Sequence, residues 1–254
     1  ILLDANLKKE DIENLTWWLE SLEKRIAERK KWWDRQNLMK KGTLAKEWTA
    51  GYTLTLDKYA TDWTEIAKTQ GFPEIIGHEQ EIERVERTLA RREYNNVLLV
   101  GEPGIGRKGI IQGLVEKAVL GESLPDVNYK RVVELDIVSL LAEIADPEEV
   151  ETVLDRIFQE AIGAGNVILV INEFHNFIGV KPSPGRIDIS GVISSYLHLP
   201  EFQIVAVTTY AGLHKNIEQN PSILNLFEKV EVSEISEREI MMILENLTLV
   251  LEEK

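Results

Sequence analysis

A glycine-rich segment carries the residues of this chain that are best suited to bind a phosphate group. Its glycines are Gly101, Gly104 and Gly106, and they follow an apolar run over residues 97–100 that is typical of a buried strand. Glycines let backbone amides surround a phosphate, and the N-terminus of the helical pattern that follows adds partial positive charge. The sequence therefore predicts a phosphate-binding loop between a strand and a helix.

The two residues after this loop depart from the motif that its spacing otherwise matches. In G-x-x-x-x-G-K-[ST] the lysine reaches the terminal phosphates and the hydroxyl ligates magnesium, whereas this chain has Arg107 and Lys108. Arg107 can act as the phosphate-binding cation, since a guanidinium pairs well with phosphate. Lys108 offers no ligand to magnesium and would repel it, unless its side chain bends to solvent. We therefore expect a phosphate cradle with altered metal chemistry.

Apolar strands that alternate with helices must position this loop. Strands rich in β-branched residues are predicted over 97–100, 131–135, 167–171 and 203–207, and helices between them over 108–120, 148–162 and 189–196. Such alternation is typical of a parallel sheet covered by helices on both faces. A charged helix is predicted before the loop, over 79–92. The fold class is therefore α/β.

The N-terminal part of the chain has a different pattern. Residues 8–41 are predicted to form one long helix with a narrow apolar seam, and residues 51–71 a connector with a turn-rich start and a short helix around 62–68. All six tryptophans lie between Trp17 and Trp63. Their indoles either fill a core between this helix and its neighbours or form a face for a partner or a membrane surface. We expect this region to be an extension outside the core.

Composition narrows the classes of partner. The chain has 254 residues, a formal net charge of −14 and no cysteine. The negative charge disfavours binding to nucleic acid, and the absence of cysteine excludes disulfides and cysteine-based metal sites. No apolar run has the length of a membrane span. Because the chain begins at Ile1 rather than at methionine, we expect a segment of a longer protein.

Several long segments resemble the first ATPase module of the Clp-type AAA+ protein unfoldases. From Leu56 onward they read LDKYATDWTEIA, EIIGHEQEIERVERTLARREYNNVLLVGEPGIG, NVILVINEFHNFIG and VAVTTYAGLHKNIEQNPSIL. The resemblance implies a Trp-rich helical extension over 1–55 and an AAA+ P-loop large subdomain over 56–235. It also implies the start of a truncated helical lid over 236–254, where a final helix is predicted from Ser236.

The same resemblance assigns site residues. Glu173 is implied to polarise the attacking water and Thr208 to be the first sensor, both as vestiges of catalysis. The nucleotide-binding positions implied are Ile75, Ile76, Pro103, Gly104, Ile105, Gly106, Arg107, Lys108 and Asn172. No metal ligand is assigned. His175 is expected to pack beside the site rather than to ligate a metal.

Three departures from the family pattern argue against efficient hydrolysis. Asn172 stands where the family has the aspartate that supports magnesium, or is simply a satisfied polar residue at a strand end. The paired arginines that reach a neighbouring subunit's site correspond to Asn225 and Leu226, and such an arginine is worth about a thousandfold or more in rate. The substrate-gripping loop, over 143–148, lacks an aromatic residue and carries extra carboxylates.

These observations favour a catalytically degenerate Clp-type module that binds ATP or ADP, holds magnesium poorly, and serves assembly or regulation. Two other hypotheses stay open: an active ATP-dependent unfoldase with an atypical site, and an interaction scaffold organised by the Trp-rich helix. The resemblance implies a homo-oligomer such as a hexameric ring, acting with protein substrates or a Clp-type protease. We expect a cytoplasmic location, with membrane proximity only through segments outside this sequence.

Overall fold

One mixed sheet forms the centre of the structure. A computed structural model describes residues 53–72, 77–144, 146–179, 187–234 and 241. Within these residues the sheet has six strands in the order β1-β3-β4-β5-β2-β6, and only the edge pair β1–β3 is antiparallel. The strands are β1 (Ala60–Asp62), β2 (Asn96–Val100), β3 (Arg131–Leu135), β4 (Val167–Ile171), β5 (Gln203–Thr208) and β6 (Phe227–Glu231).

Helices connect the strands. They are α1 (Leu54–Lys58), α2 (Trp63–Thr69), α3 (Glu79–Leu89), α4 (Arg107–Leu120), α5 (Ile137–Glu143), α6 (Pro147–Ala164), α7 (Ser190–Tyr196), α8 (Tyr210–Gly212) and α9 (Pro221–Leu224). A 3₁₀ turn spans Phe174–Asn176 and a π-helical turn spans Leu213–Ile217. Among the described residues, none of these helices combines the length and the apolarity that crossing a membrane requires.

The predicted α/β fold class is confirmed, because the apolar strands are the buried centre of the sheet. Every residue of β2, β4 and β5 is buried, which is what continuous apolar runs predict for parallel strands covered on both faces. Local signals set the helix ends. Helix α6 begins with Pro147 after the capping carboxylate of Asp146 and ends at Gly165, which has a φ of 70°.

The connector and the sheet edges differ from the sequence prediction. The sequence predicts a turn-rich start to residues 51–71 before a short helix, but the described part contains α1 and the edge strand β1 before α2. Helix α3 ends at Leu89, earlier than predicted. Strand β6 and helix α5 are not predicted, because both are short and partly polar and depend on tertiary pairing. The predicted N-terminal helix and the final helix lie outside the described residues.

Arg131 joins this connector to the sheet. From β3 its guanidinium donates to Asp62 and to Asp57, both at 2.6 Å, and to the hydroxyl of Thr53 at 3.0 Å. Its side chain is only 16% exposed. Asp62 also accepts a hydrogen bond from the backbone amide of Glu65 and so caps α2. One cation thus holds α1, β1 and the start of α2 against the sheet.

Replacing Arg131 with Met is expected to destabilise the protein by about 2–4 kcal/mol, because two carboxylates would lose a largely buried partner. Arg87→Met is the matched control, since Arg87 and its partner Glu83 are 66% and 55% exposed and such a pair contributes less than about 0.5 kcal/mol. Urea unfolding of both variants measures the difference. Equal losses in the two variants would contradict the role given to Arg131.

Candidate functional site

The predicted site residues meet at the carboxyl edge of the sheet. The glycine-rich loop follows β2, Asn172 and Glu173 follow β4, and Thr208 is the last residue of β5. Because these strands are parallel, their carboxyl ends lie side by side, which is the usual location of ligand sites in such sheets. The amide of Gly101 donates to the carbonyl of Thr208 at 3.1 Å. The loop and the sensor position are therefore in direct contact.

The loop has the backbone of a phosphate cradle. Gly104 and Gly106 have φ values of 89° and 107°, which L-residues rarely adopt. His78 packs beneath the loop and its Nε2 lies 2.9 Å from the carbonyl oxygen of Ile105, so this nitrogen is the donor. A Cβ atom on Gly106 would lie 2.4 Å from the same nitrogen. Pro103 and Gly104 form the exposed tip of the loop.

A chain of polar contacts crosses the site from the loop to the sensor. The guanidinium Nη2 of Arg107 donates to Oε1 of Glu173 at 3.0 Å. Oε2 of Glu173 lies 3.6 Å from Nε2 of His175, and Nδ1 of His175 lies 3.0 Å from the hydroxyl oxygen of Thr208. Glu173 has a left-handed backbone, with a φ of 49°, an uncommon conformation that aims its side chain back toward the loop. His175 therefore lies between Glu173 and Thr208.

Lys108 belongs to a second set of contacts. Its ammonium lies 5.2 Å from the centre of the Trp63 ring, within cation–π range. The indole Nε1 of Trp63 donates to Oε2 of Glu134 at 2.8 Å. Nδ2 of Asn172 donates to the other oxygen, Oε1, of Glu134 at 2.5 Å. Lys108 is exposed, and its ammonium lies over the Trp63 ring of the connector.

The residues present fit a phosphate better than a divalent metal. The side chain of Arg107 is 13% exposed, and its buried Nη1 has no hydrogen-bond partner among the described residues. This nitrogen can therefore donate to a phosphate in the cradle. Magnesium requires oxygen ligands in octahedral geometry. At the two family metal positions the chain presents an ammonium and an amide that already donates a hydrogen bond. The described residues contain no group of three His, Asp or Glu side chains placed to hold a metal.

Other predicted positions lie away from this centre. Asn225 is exposed at the end of α9, whereas Leu226 is 5% exposed and belongs to the hydrophobic core. Of the gripping-loop segment, Glu143 ends α5 and Asp146 caps α6. Ile75 and Ile76 lie outside the described residues.

Three residues of the site are not found from the sequence. Glu134 is missed although it interrupts an apolar strand with a carboxylate near the carboxyl end, which is a usable signal once the strand order is known. Trp63 is grouped with the N-terminal tryptophans by sequence, but it is buried against the core. His78 gives no signal, because its role depends on a left-handed backbone with a φ of 59°.

Gly106→Ala is expected to destabilise the protein by about 1–3 kcal/mol, because the methyl group meets His78 and the backbone is left-handed. Gly109→Ala is the matched control, since a Cβ there meets nothing within 4 Å. That change should stabilise helix α4 by about 0.5–1 kcal/mol. Thermal unfolding should therefore give shifts of opposite sign, and a shared sign would contradict this account of the loop.

His175 is expected to make stability depend on pH. Burial lowers the pKa of His175 below its ordinary value of 6.5; Glu173 opposes this effect, and Arg107 adds to it. The unfolded chain then binds a proton more readily than the folded one, so this contribution is complete above about pH 6.5 and decreases as pH falls toward the folded pKa. His175→Gln should remove it. Urea unfolding between pH 5 and 8 measures the difference, and parallel curves for the two proteins would contradict the prediction.

The sequence is similar to the ATP-binding subunit ClpC of the ATP-dependent Clp protease. The relative from Staphylococcus aureus is 37% identical over 195 residues, which cover 77% of this chain and 24% of the relative. The relative from Staphylococcus saprophyticus has the same identity and coverage. The chain thus spans about a quarter of the length of these curated relatives. No model of a protein family matches the chain.

Solved structures lead to the same family. The Hsp104–ADP complex of S. cerevisiae has a TM-score of 0.67 and 28% identity, covering 76% of this chain and 33% of that one. A complex of Hsp104 with casein in an extended conformation gives the same values. Since sequence and fold match over 77% and 76% of its residues, the chain belongs to the Clp-type AAA+ unfoldases, as one module of that family.

Proposed function

We propose that this module binds ATP or ADP without efficient hydrolysis and serves the assembly or regulation of a Clp-type unfoldase. The observation that carries the proposal is the pairing of Arg107 with Glu173 at 3.0 Å. Arg107, the cation expected to bind the phosphates, is instead paired with Glu173, the carboxylate expected to polarise the attacking water. Nucleotide can compete for Arg107, and the other basic group that faces Glu173 within the described residues is His175, at 3.6 Å.

The interface position adds a second argument. Stabilisation of the transferring phosphoryl group by a neighbour's arginine is typically worth a factor of about 10³–10⁵ in rate. The corresponding positions here are the neutral Asn225 and Leu226, and Leu226 is part of the core. In a ring of identical subunits, which we propose by analogy with the family, no copy would receive that guanidinium from this segment.

Binding of nucleotide is supported by the ligands of the similar Hsp104 structures as well as by the cradle. One Hsp104 structure is a complex with ADP, and another was obtained with ATPγS and casein. We propose that this module also binds a nucleotide. We further propose that the longer protein handles protein substrates or delivers them to a protease. The unfolding work itself would then depend on ATPase modules elsewhere in that protein.

An active unfoldase module is the alternative, and one observation favours it. Glu173 and Thr208 each lie within contact range of His175, which would leave part of a hydrolytic arrangement in place. It would require that bound nucleotide displaces Glu173 from Arg107.

Nucleotide binding and phosphate release separate these functions. Calorimetric titration of the full chain with ATP and ADP should show binding, and Arg107→Gln should weaken it by about 10–100-fold, because a charge-assisted contact to phosphate is lost. Arg87→Gln is the matched control, with an unchanged affinity expected. Phosphate release should stay far below the rate of about 1 s⁻¹ of ordinary phosphoryl-transfer enzymes. Turnover near that rate, abolished by Glu173→Gln, would establish the alternative.

A further inference from the structure

We propose that Glu134 and Asn172 are an exchanged carboxylate–amide pair that closes the metal side of the pocket, so that this module binds its nucleotide as the metal-free anion. The proposal rests on the nucleotide binding proposed above and specifies its ionic form. It concerns Glu134, Asn172, Trp63 and Lys108, which lie beside the phosphate loop.

The first step is the hydrogen bonding of Glu134. Its two carboxylate oxygens accept from different donors, Oε1 from Asn172 at 2.5 Å and Oε2 from Trp63 at 2.8 Å. Trp63 is 5% exposed, so this indole has a fixed position in the core. Glu134 is therefore held on one side by a rigid donor, the indole of Trp63. Its partner on the other side, Asn172, is exposed and faces the open pocket.

The second step is that the two residue types require each other. The ends of β3 and β4 are adjacent in a parallel register that pairs Glu134 with Val170, so the side chain of residue 172 comes within hydrogen-bond distance of Glu134. An aspartate at this position would place two carboxylates in contact, and neighbouring carboxylates cannot both ionise without a large cost. Asparagine has nearly the same shape and supplies a donor instead. The carboxylate of this pair therefore lies on β3 and the amide follows β4.

The third step concerns the charge that would otherwise come from a divalent ion. Each oxygen of Glu134 already accepts a hydrogen bond, and the nearby Lys108 contributes an ammonium in place of a metal-binding hydroxyl. Arg107 adds a guanidinium with a buried nitrogen that lacks a partner within the described part of the chain. Two basic residues, Arg107 and the exposed Lys108, thus follow the cradle where the family pattern has a lysine and a hydroxyl. The pocket favours a bare phosphate chain over a chelated one.

A stability experiment tests the pair without any nucleotide. Asn172→Asp should lower the melting temperature of the full chain by about 2–4 °C, because the pair is partly exposed and the repulsion is partly screened. Glu134→Gln in the same chain should restore it, since glutamine can donate to the introduced carboxylate while accepting from Trp63. Glu93→Gln, at an exposed carboxylate, is the control for lost charge and should not restore it. The exchanged pair is refuted if Asn172→Asp has the same melting temperature as the wild type. It is also refuted if Glu134→Gln and Glu93→Gln restore the melting temperature of Asn172→Asp equally.

A titration tests the ionic form of the ligand. Wild-type protein should bind ATP about tenfold or more weakly in excess magnesium than in excess chelator, because magnesium depletes the bare anion that the pocket favours; equal affinities in the two buffers would contradict the metal-free form. The triple variant Glu134→Gln, Asn172→Asp, Lys108→Thr returns the carboxylate to β4 and a hydroxyl to the loop. Its affinity should rise by about tenfold or more when magnesium is added.

The outcomes of the two experiments are distinguishable. Tighter binding of ATP to the wild type with magnesium, lost in Glu134→Gln, would make Glu134 a metal-supporting carboxylate and overturn the metal-free form while leaving nucleotide binding intact. Absence of binding to the wild type in both buffers would overturn the proposed function and the metal-free form together. The melting experiment would still decide whether the carboxylate and the amide are exchanged.

Discussion

Charge balance at the carboxyl edge of a buried parallel sheet constrains everything around the pocket. Strands β2, β4 and β5 are fully buried, so ionic groups at their ends face low-dielectric protein on one side and can be solvated only from the other. Arg107 satisfies this constraint by pairing with Glu173. Glu134 satisfies it by accepting hydrogen bonds from Trp63 and Asn172. Both carboxylates are therefore paired before any ligand enters, whereas one buried guanidinium nitrogen of Arg107 lacks a partner among the described residues.

The phosphate cradle has a structural role that does not depend on catalysis. His78 fills the space beneath the loop and donates to Ile105, and a side chain on Gly106 would collide with it. The loop backbone is therefore required for packing as well as for phosphate. This explains in physical terms how a chain can keep the full glycine frame while the two residues after it are Arg107 and Lys108. An intact glycine frame indicates the fold, whereas the activity depends on the side chains around it.

The sequence predicted the sheet well where burial alone determines it. The bounds predicted for β3 and β4 are those observed, and the other two predicted strands differ by one residue at one end. Strands β1 and β6 escaped prediction because their residues are half polar and their pairing partners lie far away in the chain. The same limit applies to the site. Arg107, Glu173 and Thr208 follow from motifs, but Glu134 is 38 residues from Asn172 and becomes a neighbour only through the strand order.

Asn225 and Leu226, the positions that the resemblance matches to the family's interface arginines, have different surroundings. Asn225 is exposed, and an arginine there would meet only solvent or a neighbouring subunit. Leu226 is 5% exposed within the main hydrophobic cluster, and its carbonyl accepts a hydrogen bond from the buried Asn96 at 3.3 Å. A guanidinium at this position would have to be buried without a partner or would displace the start of β6, at a cost of several kcal/mol. The loop, the end of β4 and this core position are thus each fixed by separate packing.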